Sequence, residues 1–146
     1  MNTQIPILVA DDDEDDRFLI RTAFRDSQLT NDIFFVADGV ELMQFLHHQG
    51  PYADAEKYPR PGIIFLDLNM PRKDGWEALS EIKQNPELKA IPVVVLTTSN
   101  SERDILRTYE SGANCYITKP ISFDQLLQIV KSFGQFWLSI ASIPWK

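Results

Sequence analysis

Five short, almost uniformly apolar runs punctuate the chain, at Ile5–Ala10, Ile33–Ala37, Gly62–Asp67, Ile91–Thr97 and Asn114–Thr118. The middle ones, IIFLD and IPVVVLT, lack the polar alternation of a half-exposed strand, so they predict strands buried on both faces of a parallel sheet. Between them lie amphipathic stretches that predict helices near Asp13–Asp26, Gly39–Gln49, Gly75–Asn85, Ser101–Ser111 and Ser122–Phe136. In the last stretch Leu126, Leu127, Val130 and Phe133 recur at helical spacing. Strand–helix alternation repeated in this way predicts an open α/β sheet.

Local signals agree with these boundaries. Ser101 and Ser122 stand where helix N-caps belong, and Gly112 stands where a left-handed residue ends a helix. Pro86 and Pro92 bracket the connection between the third helix and the fourth strand. Gly50–Pro61 carries three prolines and no periodicity, which predicts a long loop. No repeat, low-complexity tract or second domain is evident.

The bulk numbers narrow the function. A chain of 146 residues, 44% hydrophobic and 24% charged, fits one globular domain with a real core. No apolar stretch approaches the about 18 residues a membrane span needs, and the N-terminus lacks a basic segment with a cleavage site. The expectation is a cytoplasmic, unprocessed protein without membrane insertion. A net charge of -7 argues against direct nucleic-acid binding and favours a cation or a basic partner surface. The single cysteine, Cys115, excludes an intrachain disulfide; within ANCYIT it reads as a buried thiol.

In open sheets with right-handed crossovers, ligand chemistry collects at the carboxyl ends of the strands. Here those ends carry Asp11-Asp12, Asp67, Thr97-Thr98 and Lys119-Pro120. Three carboxylates, two hydroxyls and an ammonium are thus expected along one edge.

The acidic pair, LDLNMPRKDG around Asp67, Thr97 after VVVL, and the run Tyr116-Ile117-Thr118-Lys119-Pro120 together resemble the receiver domain of two-component response regulators. The resemblance covers about Ile5 to Phe133. It implies a CheY-like (flavodoxin-like), doubly wound α/β fold with a five-stranded parallel sheet in the order 2-1-3-4-5 and five helices. It also implies a phosphoacceptor, not an enzyme in the ordinary sense, although it would promote its own phosphorylation and slow dephosphorylation. Asp67 would be the nucleophile toward phosphorus, which demands compensating positive charge. Mg²⁺ would be held by Asp12, Asp67 and the backbone carbonyl of Asn69, with Asp11 acting through water, a set that suits magnesium's preference for few carboxylates. Lys119 would pair with Asp67 and then with a phosphoryl oxygen, and Thr97 would donate to another. Thr97 and Tyr116 would form a switch, the threonine moving toward the phosphoryl group and the ring filling the vacated space. That would remodel the face of the fourth helix, fifth strand and fifth helix. The Lys119–Pro120 bond would be cis.

The remaining acids read differently. Asp13 is expected to cap the first helix, with Glu14, Asp15 and Asp16 in its first turn, where the helix dipole favours acids and none touches the phosphoryl chemistry. Asp11, Asp13 and Asp15 match alternate positions of a calcium-binding loop. The sixth position would then be Asp16 instead of glycine and the twelfth Thr22 instead of glutamate, so that reading fails. His47 and His48 are adjacent and point to different sides of a helix, a poor metal pair. Asp38 and Asp74 read as helix-start residues.

Residues 1–134 are taken as the receiver and 135–146 as an apolar C-terminal extension. Phe136, Trp137, Leu138, Ile140, Ile143 and Trp145 exceed what one helix face can bury. They fold back or cover a partner, and their excess favours a homodimer contact through Phe136, Trp137 and Ile140. The Phe-Trp tail and the long loop resemble the small regulators paired with bacterial and cyanobacterial phytochromes, which implies a light-sensing histidine kinase as partner. A downstream protein target or phosphotransfer protein would receive the signal. The competing function is a phosphorylation-independent pseudo-receiver, disfavoured because Asp11, Asp12, Asp67, Thr97 and Lys119 are all present. A phosphohydrolase would need a second carboxylate where DLN places Asn69.

Overall fold

The computed structural model describes residues 5–145. Its elements are β1 (Ile7–Ala10), α1 (Glu14–Asp26), β2 (Ile33–Val36), α2 (Gly39–Leu46), a 3₁₀ turn (Gly50–Tyr52), β3 (Ile63–Leu66), α3 (Gly75–Gln84), β4 (Val93–Thr97), α4 (Glu102–Glu110), β5 (Cys115–Thr118) and α5 (Phe123–Trp137). The strands form one parallel sheet in the order β2-β1-β3-β4-β5. This is the doubly wound fold expected from the sequence, with no boundary shifted by more than three residues. Every residue of β1, β3 and β4 is buried, which explains their uninterrupted apolar sequence.

Alternate side chains along the strands serve the two faces. Leu8, Ile64, Leu66, Val93 and Val95 pack with Leu42, Leu46, Leu79 and Ile82 of α2 and α3. Ile7, Val9, Phe65, Val94 and Leu96 pack with α1 and α5 through Ile20, Phe24, Leu126, Val130 and Phe133. Phe24, Phe65 and Phe133 meet edge-to-face or tilted, with centroids 4.7 to 6.1 Å apart.

The helix starts follow the sequence. Asp13, Asp38, Asp74, Ser101 and Ser122 each accept a backbone N–H from the first turn of the helix they precede. Gly112 adopts φ 102° after α4, and a Cβ there would lie 2.9 Å from the Lys83 side chain. The segment 50–61 is more ordered than a plain loop. Its Tyr52 and Tyr58 close an aromatic cluster with Phe34 and Phe45, and His48 Nε2 lies 3.1 Å from the Tyr58 carbonyl.

The C-terminal segment divides its apolar residues. Leu138 is buried in the α1/α5 core, with Trp137 and Ile143 half-buried against it. Trp145 lies beside Gly62 at the start of β3, and its Nε1 donates to the Arg60 carbonyl at 3.3 Å. Phe136 and Ile140 stay 51% and 66% exposed.

Phe24→Ala removes the ring that joins α1 to both Phe65 and Phe133. It should cost about 3–5 kcal/mol of stability, read as a lower urea midpoint at unchanged slope.

Candidate functional site

Parallel pairing brings the carboxyl ends of β1, β3, β4 and β5 to one edge. Asp11 follows β1 and is 2% exposed; Asp67 follows β3 and is 6% exposed; Asp12 faces solvent. Asp11, Asp12 and Asp67 each offer a carboxylate oxygen within 4.8 Å of the others. Oxygen-only donors at this spacing, one of them open to solvent, fit a hard divalent cation.

Asp67 is held at both oxygens. Oδ1 accepts the Thr97 hydroxyl at 3.0 Å and the Asn69 N–H at 3.2 Å. Oδ2 accepts from Lys119 Nζ at 3.0 Å. Lys119 Nζ also meets Asp11 Oδ2 at 2.8 Å and Asp16 Oδ2 at 2.7 Å. Burial would lower the Lys119 pKa, but the hydrogen bonds to Asp11 and Asp16 and the charges of Asp67 and Asp11 outweigh it and hold the ammonium above its ordinary range. These pairings therefore add stability that is present below the ordinary lysine pKa and lost as pH rises through the raised one. Burial pushes the Asp11 carboxyl up, against the hydrogen bonds from Lys119 and the Asp13 N–H.

The loop after β3 is fixed by close approaches. The Gly75 N–H donates to the Leu68 carbonyl at 2.9 Å, and a Cβ on Gly75 would lie 2.4 Å from the Asp67 carbonyl oxygen. Arg72, at φ 65°, makes a two-pronged ion pair with Asp38 at 2.8 and 2.9 Å. The Gly39 N–H bonds the Lys73 carbonyl at 3.0 Å.

Asp11, Asp12, Asp67, Thr97 and Lys119 thus converge, with the exposed Asn69 beside them. Tyr116 lies apart from the acids. Its half-buried ring sends its hydroxyl to the Ser99 carbonyl at 2.7 Å, and its N–H meets the Tyr109 hydroxyl at 3.1 Å. Arg107 of α4 stacks over Trp76 of α3 at 4.0 Å.

Two expectations require correction. No peptide bond among the described residues is cis, so Lys119–Pro120 is trans, the form favoured by about 0.5–1 kcal/mol even before proline. In that form the Lys119 N–H still reaches the Thr97 carbonyl at 2.7 Å and its ammonium all three carboxylates. Asp16, expected only to start a helix, reaches the site through Lys119. Its signal was its position: a side chain in the first helical turn leans back toward the N-terminus, here toward the acidic pair. Asp13, Glu14 and Asp15 are exposed, as expected, and Asp13 caps α1. His47 is exposed, and Cys115 is half-buried with its thiol pKa pushed up by burial.

A parallel sheet in this strand order, with an acidic trio, a hydroxyl and a lysine at its carboxyl edge, defines a receiver. Residues 7–131 match the response regulator receiver domain, and the chain belongs to that family. It is 44% identical over 138 residues to response regulator Rcp1 of Synechocystis, covering 94% of this chain and 92% of that one. The phosphorylated cyanobacterial phytochrome response regulator RcpA superposes with a TM-score of 0.90 at 46% identity, covering 97% of this chain and 99% of that one. The Mn(2+)-bound form of Rcp1 gives 0.87 at 43% identity, with the same coverage of both chains. The chain is a response regulator receiver related to phytochrome-associated regulators.

A divalent cation should raise the thermal midpoint by linkage as it fills the acidic trio. Titration with MgCl₂ or MnCl₂ against NaCl of equal ionic strength checks this. Asp12→Ala should remove the divalent-specific part of the rise.

Proposed function

We propose that the chain accepts a phosphoryl group from a kinase histidine onto Asp67. The observation that carries this reading is the Asp67 carboxylate itself, buried yet gripped by the Thr97 hydroxyl and the Lys119 ammonium beside Asp11 and Asp12. An Asp67 oxygen attacks phosphorus as the phosphorus–nitrogen bond to the kinase imidazole breaks and the departing imidazole takes up a proton; the Lys119 charge and the Thr97 hydroxyl then bind the phosphoryl oxygens that replace the free carboxylate. Asp12, Asp67 and the Asn69 carbonyl would hold Mg²⁺ directly, with Asp11 behind a water. Bound there, the ion supplies the positive charge that offsets an anion approaching an anion. A Mn(2+)-bound relative supports this use of the trio.

The output is a protein surface. Thr97 already points at Asp67 and the Tyr116 ring is half-buried, the arrangement the switch reading assigns to the signalling state. Phosphorylation would hold it there, fixing the α4-β5-α5 face for a downstream protein or phosphotransfer partner. The relatives' association with phytochromes supports a phytochrome-type sensor kinase as phosphodonor. Receiver residues 1–134 would perform the chemistry. The exposed Phe136 and Ile140, with Trp137 between them, would form the contact of a homodimer in the extension 135–146.

Incubation with acetyl phosphate and Mg²⁺ should add one phosphoryl group to the wild type and none to Asp67→Asn, read by intact mass. An unmodified wild type would instead fit a phosphorylation-independent interaction module. Phe136→Ser/Ile140→Ser should shift the chain toward monomer in light scattering; an unchanged dimer would remove the tail from the interface.

A further inference from the structure

We infer that Asp16 is a positioning residue for phosphoryl transfer, acting through Lys119; the inference rests on the phosphoacceptor reading above. An ammonium has three N–H donors and no acceptor. At Lys119 three carboxylate oxygens stand within 3.0 Å, one each from Asp11, Asp16 and Asp67. Two of these carboxylates stay unchanged throughout the reaction. Only Asp67 changes, its negative charge moving outward onto phosphoryl oxygens when the oxygen–phosphorus bond forms. Asp11 and Asp16 therefore act as two fixed legs that leave the third N–H aimed at Asp67 before transfer and at a phosphoryl oxygen after it.

The local sequence explains why Asp16 is available. It occupies the third position of α1, from which a carboxylate can turn back to accept the N–H of the capping residue, as Glu or Gln does in a capping box. That N–H, on Asp13, instead donates to Asp11 Oδ1 at 2.9 Å. The Asp16 carboxylate is thereby released to bridge α1 to the segment after β5. A lysine stem has four rotatable bonds, and one leg at Asp11 would leave the ammonium free to swing toward solvent. With the second leg at 2.7 Å, Lys119 is held across the site. The alternative role for Asp16 is stabilisation of α1 by its charge near the helix N-terminus, which would not pass through Lys119.

The test measures Asp67 phosphorylation of the full chain by acetyl phosphate with saturating Mg²⁺, separating the maximal rate from the half-saturating acetyl phosphate concentration. Asp16→Asn should lower the maximal rate about tenfold, the scale of one lost charge-assisted hydrogen bond. Asp16→Glu should recover part of that loss, and Asp15→Asn, on the same turn, should match wild type. In a Lys119→Ala background Asp16→Asn should have no further effect, because its route is gone. Urea midpoints of each variant identify any loss due to unfolding. An Asp16→Asn rate equal to wild type, or an equal fold-loss with Lys119 absent, overturns the positioning role while leaving the phosphoacceptor reading intact. A wild type that takes up no phosphoryl group overturns that reading and this inference with it.

Discussion

Two carboxylates buried at the edge of a hydrophobic sheet would repel each other and resist leaving water; the Lys119 ammonium is what lets Asp11 and Asp67 sit there. The compensation is incomplete. Three carboxylates, from Asp11, Asp16 and Asp67, share one ammonium, and Asp12 adds a fourth beside Asp11 and Asp67. The fold thus carries an unbalanced negative site on top of two well-packed apolar layers. That imbalance suits the site to a divalent cation, and the packed layers beneath hold the acids at one edge.

The loops that carry the acids are as constrained as the strands. Gly75 approaches the Asp67 carbonyl more closely than any side chain would allow. The segment before it is tied to α2 by the Arg72–Asp38 pair and by the bond from Gly39 to Lys73. Asp38 caps α2 with one oxygen and grips Arg72 with the other. One carboxylate therefore sets both the start of a helix and the path of the loop that carries Asn69.

Much of this was legible in the sequence because it depends on local rules. Buried parallel strands read as unbroken apolar runs, and caps read as Asp or Ser before a helical pattern. Residues at strand ends share an edge once the fold is known, so Asp11, Asp12, Asp67, Thr97 and Lys119 could be placed together. What escaped depends on side-chain reach across the chain. The link from Asp16 to Lys119 spans 103 positions, and no periodicity encodes it. The resemblance implied a cis bond before Pro120, but residue type allows either isomer and tertiary context selects. In the tail, hydrophobicity alone could not say that Leu138 and Trp145 turn inward while Phe136 and Ile140 face water.

The Tyr109 hydroxyl has a consequence of a different kind. β5 is an outer strand of the sheet, and such strands offer unpaired backbone groups on which another chain can build. Tyr109 reaches from α4 and occupies the Tyr116 N–H. A single phenol thus blocks part of an exposed margin against adventitious strand addition. The residue that links α4 to β5 leaves one fewer free donor along the open side of the sheet.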